Sequence, residues 1–400
     1  MPEHDGDTPE PAAGGAGRIA ELATLFLRLG VTAFGGPAAH IAMMHDEVVR
    51  RRGWVSEERF LDTVGATNLI PGPNSTEMAI HLGWERARLR GLVVAGVCFI
   101  VPAALIVGVL AWAYVRYGET PAVEGLLYGV KPVVIAIVAA ALWTLAPTAA
   151  KTWRLWALGG LAGVAYLLGV NELVVMVAGG LCGVAGHGLR ALRARRLGTW
   201  SPLALLVATP AVRALAGAGA TTGAATDAGL GALFLVFLKV GSVLYGSGYV
   251  LLAFLEGELV DRLGWLTGQQ LLDAASIGQV TPGPVFTTAT FVGYLVAGAP
   301  GAVVATVGIF LPSFVFVAFL ARIVAWMRAS APAGAALDGV NAAAVGLMAG
   351  VTVQLAGEAL VDVLTVALGL AAAVVLWRTR LNSTYLIAAG AAVGLLHAWA

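Results

Sequence analysis

Two cations stand alone in apolar sequence. Arg28 lies in Leu25-Phe26-Leu27-Arg28-Leu29-Gly30-Val31, and Lys239 in Val236-Phe237-Leu238-Lys239-Val240-Gly241-Ser242. An isolated cation in a membrane segment is costly and usually faces a cavity or a partner. Arg28 and Lys239 are therefore expected to face one shared anionic ligand, or else to snorkel toward an interface. A chain break follows each: Ala33-Phe34-Gly35-Gly36-Pro37 and Leu244-Tyr245-Gly246-Ser247-Gly248. Further along come two Pro-Gly-Pro breaks, Pro71-Gly72-Pro73 and Pro282-Gly283-Pro284. Proline removes a backbone donor and glycine adds freedom, so each interrupts a helix-compatible run. Helices restarting after Pro37, Pro73 and Pro284 aim free N–H groups and positive dipole ends into the gap, which suits an anion. Asn74, Ser75 and Thr76, and in the second instance Thr287 and Thr288, either donate to that ligand or cap the helix.

Glu77 and His81 are four apart on the segment after the first Pro-Gly-Pro, with Glu85 two turns beyond Glu77. Buried ionisable groups there would couple proton movement to transport; the plainer expectation is a rim salt bridge with Arg86 or Arg88. Asp46 and Glu47, beside Arg50, Arg51 and Arg52, read as a solvated amphipathic face. His40 and His45 are five apart, a poor metal spacing on a helix. Asp62 and Asp273 suggest helix caps or a conformational latch. Cys98 and Cys182 sit in apolar runs as packing residues. The sequence contains no nucleophile–base set, nucleotide loop or metal cluster, so neither a catalytic residue nor a cofactor is expected, and no nucleic-acid partner.

The elements that must hold these residues are transmembrane helices. The 400 residues are 59% hydrophobic and 12% charged, against about 25% charged in soluble domains, and mean hydropathy is +0.85. Several apolar runs approach or exceed the ~20 residues that cross a bilayer. The chain is also duplicated. Phe26-Leu27-Arg28-Leu29-Gly30 matches Phe237-Leu238-Lys239-Val240-Gly241, a spacing of 211 residues (237 less 26) that also pairs Gly53-Trp54 with Gly264-Trp265, Asp62 with Asp273 and the two Pro-Gly-Pro motifs. One deletion later, a spacing of 210 pairs Gly83 with Gly293, Gly91 with Gly301, Pro102 with Pro312 and Gly129 with Gly339, while Lys131 falls opposite Asn341, so any positive charge there belongs to the first half alone.

The expected organisation is a disordered tail at 1–17, a first transmembrane repeat at 18–188, a basic then Ala/Gly-rich linker at 189–229 with a run from Leu203 to Leu215 that dips into the membrane, and a second repeat at 230–400. Each repeat reads as helices of like order: near 19–35, 38–52, 57–70, 74–84, 91–114, 126–146, 155–170 and 172–188, then 230–246, 249–262, 268–281, 285–297, 302–325, 337–356, 360–377 and 384–399. Arg86, Arg88 and Arg90 precede the first long span, whereas its counterpart is preceded by an uncharged loop and followed by Arg322 and Arg328. Lys and Arg favour the cytoplasmic side, so the repeats are expected to be inverted: an all-α polytopic membrane protein of two inverted-topology repeats with broken helices, as in many secondary transporters. Gly-rich helices pack within a chain or between chains, so a homodimer is compatible with this composition.

Phe34-Gly35-Gly36-Pro37, Gly53-Trp54, the two Pro-Gly-Pro motifs and the duplication together resemble the chromate ion transporter family, ChrA type, in its long two-domain form, from about residue 19 onward. The resemblance implies a multi-pass transporter of the bacterial inner membrane that expels chromate and confers chromate resistance, driven by the membrane potential or a proton gradient. Sulfate is the related oxyanion. Tyr245-Gly246-Ser247-Gly248 departs from the first-half motif in lacking the proline. The alternatives are a transporter of sulfate or another oxyanion, an uncoupled anion channel, and a membrane enzyme that reduces chromate; the last finds no redox-cofactor motif in the sequence.

Overall fold

A computed structural model describes residues 15–34, 36–67, 69–118, 120–194, 229–245, 250–379, 381 and 383–399. The expected tail to residue 14 and the Leu203 to Leu215 run lie outside them, as do Gly35 and residues 246–249. Every described element is helical, and seven elements recur twice. In the first half these are α1 (Gly15–Thr32), α2 (Gly36–His45, continued by a π-helical turn Asp46–Arg51), α3 (Glu57–Thr67), α4 (Asn74–Tyr117), α5 (Pro121–Ala149), α6 (Trp153–Leu167) and α7 (Glu172–Ala194). In the second half they are α8 (Leu230–Val243), α9 (Val250–Leu255 with the π-helical turn Glu256–Arg262), α10 (Gly268–Val280), α11 (Thr288–Ala329, after a 3-10 turn Val285–Thr287), α12 (Ala331–Ala359), α13 (Val363–Arg378) and α14 (Ser383–Trp399). α1 starts inside the expected tail, and α7 runs on into the expected linker.

Among the described residues, four helical stretches are long and apolar enough to cross a membrane: Asn74–Tyr117, Pro121–Pro147, Val285–Phe319 and Ala331–Ala359. Two of them begin in hairpins. α4 breaks at Ala87 and Arg88 (φ −147° and 51°), and α11 at Ala297 and Gly298 (φ −144° and 63°). Along a continuous helix Gly83 and Gly91 would be about 12 Å apart. Instead a Cβ on Gly91 would lie 2.0 Å from Gly83 O, and one on Gly301 2.1 Å from Gly293 O. The chain after each Pro-Gly-Pro therefore runs as a short helix, turns at the break and doubles back as the long span.

Between the halves the helices meet through small residues, the packing that suits lipid. Gly129 and Gly125 of α5 lie against Gly390 and Gly394 of α14, an antiparallel pair, and Gly179 and Gly183 of α7 against Gly339 and Ala335 of α12, also antiparallel. Gly159 and Gly163 of α6 meet Ala342 and Gly346 of α12 in parallel. The principal core lies around Phe237, Phe254, Phe286 and Phe291, and a second one around Phe26, Phe60 and Phe99.

Candidate functional site

The two Pro-Gly-Pro turns are docked crosswise. Gly72 N–H donates to Leu244 C=O at 2.8 Å, at the end of α8; Gly283 N–H donates to Ala33 C=O at 2.8 Å, at the end of α1. Each turn of one half thus caps the first helix of the other, at the point where the sequence breaks. Ala33 C=O also takes the Nε2–H of His40 at 3.1 Å, which fixes that tautomer. Burial lowers the His40 pKa to about 4, against the pull of that carbonyl, so His40 is a neutral tether rather than a ligand-binding cation. On the other side the Tyr245 hydroxyl donates to Leu69 C=O.

Glu77 stands at the centre of the first turn. It is fully buried, on the opening turn of α4. A Cβ on Gly72 would lie 2.2 Å from Glu77 Oε1 and 2.8 Å from Ser313 Oγ, so the carboxyl and the hydroxyl both press on the glycine. The expected rim pairing with Arg86 or Arg88 is corrected: Arg86 binds Glu21 (2.7 Å), and Glu85 binds Arg59 (2.8 Å). His81 Nδ1 lies 4.0 Å from Glu85 Oε1. Ser75 and Thr76 are buried beside Glu77, and neither caps α4, whose cap residue is Pro73. In the second half, the Thr287 hydroxyl donates to Pro284 C=O and that of Thr288 to Val285 C=O, both 2.8 Å. Gly36 takes φ 79° at the start of α2, and Pro37 follows it.

Arg28 and Lys239 do not meet each other's partners. Arg28 is ion-paired with Glu47, and Lys239 with Glu258 at 2.8 Å. Glu47 and Glu258 hold equivalent places in the π-helical turns of α2 and α9, as do Arg51 and Arg262, which bind them. The solvated reading of Glu47 is therefore corrected: the π-turn carries it inward to 7% exposure, where Arg28, Arg51 and Arg52 surround it. Burial pushes its carboxyl up, but the guanidiniums of Arg28, Arg52 and Arg51 outweigh burial and hold it below its ordinary range.

The halves differ in sign around these turns. The first half places three guanidiniums on one carboxylate. The second gathers Glu256, Glu258 and Glu172, all buried, with Gln354 donating to Glu256 at 2.9 Å. Burial, followed by the charges of Asp261 and Glu358, raises Glu256 to about 7 against the opposing Gln354 bond. Sequence reasoning missed this cluster, because Glu172 and Glu358 come from spans far away in the chain. It also missed the partner of Lys131 on α5, which is buried and binds Asp273 on α10 at 2.8 Å, with the Tyr114 hydroxyl on the other oxygen at 2.7 Å. Asp273 is not the cap of α10; Thr267 is, in a capping box with Gln270.

Paired broken hairpins that meet crosswise around buried ionisable side chains are the arrangement of multi-pass membrane transporters. The family model described as Chromate transporter matches twice, over residues 20–184 and 231–395, and the chain belongs to the chromate transporter family. It is 32% identical to the chromate transport protein of Cupriavidus metallidurans over 94% of this chain and 93% of that one. Against the probable chromate transport protein of Synechococcus elongatus it is 31% identical, covering 94% and 95%; against the Pseudomonas aeruginosa chromate transport protein, 32%, covering 94% and 92%. No solved structure matches it.

Proposed function

We propose that this chain is a secondary active transporter that exports a divalent tetrahedral oxyanion, chromate foremost, across the bacterial inner membrane and so confers chromate resistance. The observation that carries this reading is the crosswise docking of the two broken hairpins. Non-helical backbone at membrane depth persists only where protein or water satisfies it, and here each turn amide is satisfied by the other half. A rocking of one half against the other would break and remake those bonds. The ion itself comes from the names of the relatives.

Residues 18–188 and 230–400 are taken as repeats of opposite orientation. In support, α12 runs parallel to α6 and antiparallel to α7. As the span preceding α6, α5 runs against it, and therefore against its own counterpart, α12. The anion is assigned to the first-half turn, with Arg28 and the Pro73 helix start drawing it in, Asn74, Ser75 and Thr76 donating, and the second-half set (Lys239, Pro284, Thr287, Thr288) closing over it.

Glu77 then supplies the coupling. A dianion at the Pro73 helix start faces a carboxyl that burial has stripped of water, and two like charges in low dielectric repel strongly. Glu77 must hold a proton while the anion is bound, and His81, one turn on, passes it toward Glu85. One proton with one dianion leaves a net charge of about −1. An inside-negative potential still drives that charge outward, at about 2.3 kcal/mol per 100 mV.

The test is uptake of labelled chromate into inverted membrane vesicles, energised and not, with excess sulfate as competitor. Energised, sulfate-inhibited accumulation is expected, and a protonophore should abolish it. With the membrane potential held at zero, a pH gradient should still drive accumulation if a proton travels with the anion; no response to that gradient would mean an uncoupled channel. Accumulation no greater than in empty vesicles would withdraw chromate. Arg28→Ala is expected to abolish resistance with the protein still in the membrane, and a fully resistant strain would refute the role of that charge.

A further inference from the structure

Arg88 occupies a backbone conformation that belongs to glycine. Its φ of 51° with ψ −140° is the only positive φ outside glycine among the described residues. The other hairpin makes the same turn with Gly298 (φ 63°, ψ −153°). A non-glycine residue there costs on the order of 1–3 kcal/mol and persists where surroundings or function demand it.

Around this apex lie two adjoining cavities of about 370 and 1140 Å³ that share Arg18, Glu85, Arg86 and Arg88. The smaller is walled by Trp54 and Arg59, and the larger by Arg90, Leu89 and Val93. Glu21 and Glu85 answer Arg86 and Arg59. Among the described residues, no ion pair is made by Arg18, Arg88 or Arg90, and the Nε of Arg86 is buried without a hydrogen-bond partner. Arg86 and Arg88 lie over the rings of Trp54 and Trp84 at 4.8 and 5.9 Å. Below the apex, exposed Leu89, Val93, Val97, Val101, Leu105 and Val109 form a stripe down α4 at four-residue spacing.

We propose that this apex is a binding site for an anionic phospholipid, whose phosphodiester headgroup sits among Arg18, Arg88 and Arg90 while an acyl chain lies along the α4 stripe. A small free oxyanion satisfies the arginines but leaves the stripe unused; a zwitterionic lipid satisfies the stripe but leaves the cations uncompensated. Basic pockets at the cytoplasmic ends of transmembrane helices hold anionic headgroups in this way. The uncharged second apex (Ala297, Gly298, Ala299, Pro300) has no such requirement and keeps its glycine. The site does not depend on which ion the transporter carries.

The experiment is thermal unfolding of the full-length protein in detergent, titrated with phosphatidylglycerol, with phosphatidylcholine of the same acyl chains, or with sodium sulfate. Phosphatidylglycerol should raise the wild-type midpoint, and the other two should leave it within a degree or so. Arg88→Gly should be at least as stable as wild type without lipid, since glycine relieves the turn, and should need about fivefold more phosphatidylglycerol for the same rise. Arg90→Gln, which leaves the turn alone, should show the same lipid deficit and keeps the proposal testable if the glycine variant is lost. Equal responses to the two lipids, or an undiminished phosphatidylglycerol response in both variants, would overturn it. A rise produced by sulfate alone would reassign the arginines to a free oxyanion and overturn the lipid.

Discussion

Lys131 and Asp273 give the sharpest energetic test of how the halves are joined. Their charged atoms are 2.8 Å apart, with side chains 9% and 4% exposed. Replacing Lys131 with Met leaves a buried carboxylate whose remaining contact is the Tyr114 hydroxyl at 2.7 Å. Breaking a buried pair from one side costs about 3–5 kcal/mol, because the surviving charge is uncompensated. Asp273→Asn should cost a similar amount by stranding the ammonium. The double variant Lys131→Met with Asp273→Asn strands neither and should recover most of the loss, giving a coupling of at least about 2 kcal/mol. The bound is consistent with Coulomb attraction: at 2.8 Å and an effective dielectric of 20 it is about 6 kcal/mol before desolvation. Tyr114→Phe should remove a hydrogen bond to a charged group, about 1.5–3 kcal/mol. Unfolding of the purified protein in an SDS titration, followed by loss of helical circular dichroism, measures all four. A coupling within about 0.5 kcal/mol of zero, the range of independent sites, would refute the claim that this pair locks α5 to α10.

Gly72→Ala should cost far more than Gly53→Ala: Gly53 (φ 58°) lies in the left-handed region with open space around it, whereas Gly72 (φ 133°) lies outside that region and a Cβ there also meets the buried Glu77 Oε1 at 2.2 Å. The expected penalties are above 3 and about 1 kcal/mol, read in the same titration, and equal losses would sink the crowding argument. Glu256, raised from 4.5 to about 7, is protonated more readily in the folded protein. Its contribution to stability is therefore complete below about pH 4.5 and lost as pH climbs through 7, by about 3 kcal/mol. Glu256→Gln should flatten thermal unfolding midpoints between pH 5 and 8 relative to wild type; parallel profiles would place the titration elsewhere.

Much of the scaffold could be read from residues near one another in sequence. The duplication, the breaks at Pro71-Gly72-Pro73 and Pro282-Gly283-Pro284 and the long spans all depend on local chemistry, namely missing donors, glycine freedom and apolar runs. The site was legible only in part. Arg28 stood out as a lone cation, but its carboxylate did not, because a helix of ordinary pitch leaves Glu47 on the solvated face and the π-helical turn at Asp46–Arg51 rotates it inward. Glu77 stood out by spacing, while its surroundings include Ser313, which comes from the other half. Lys131 was seen to lack a counterpart, since Asn341 stands opposite it in the repeat. Its bond to Asp273 needed the packing of α5 on α10, which no periodicity encodes.

The crossed bonds of Gly72 and Gly283 also set an order of events at the ribosome. When the first half is complete, the carbonyl that will receive the Gly72 amide has not yet been made. At ordinary synthesis rates it follows on the order of ten seconds later. Over that interval the first hairpin has its turn unclosed, and water or a helper protein has to stand in for Leu244. A chain stopped at the midpoint would keep that opening permanently, unless a second copy supplied the missing carbonyl.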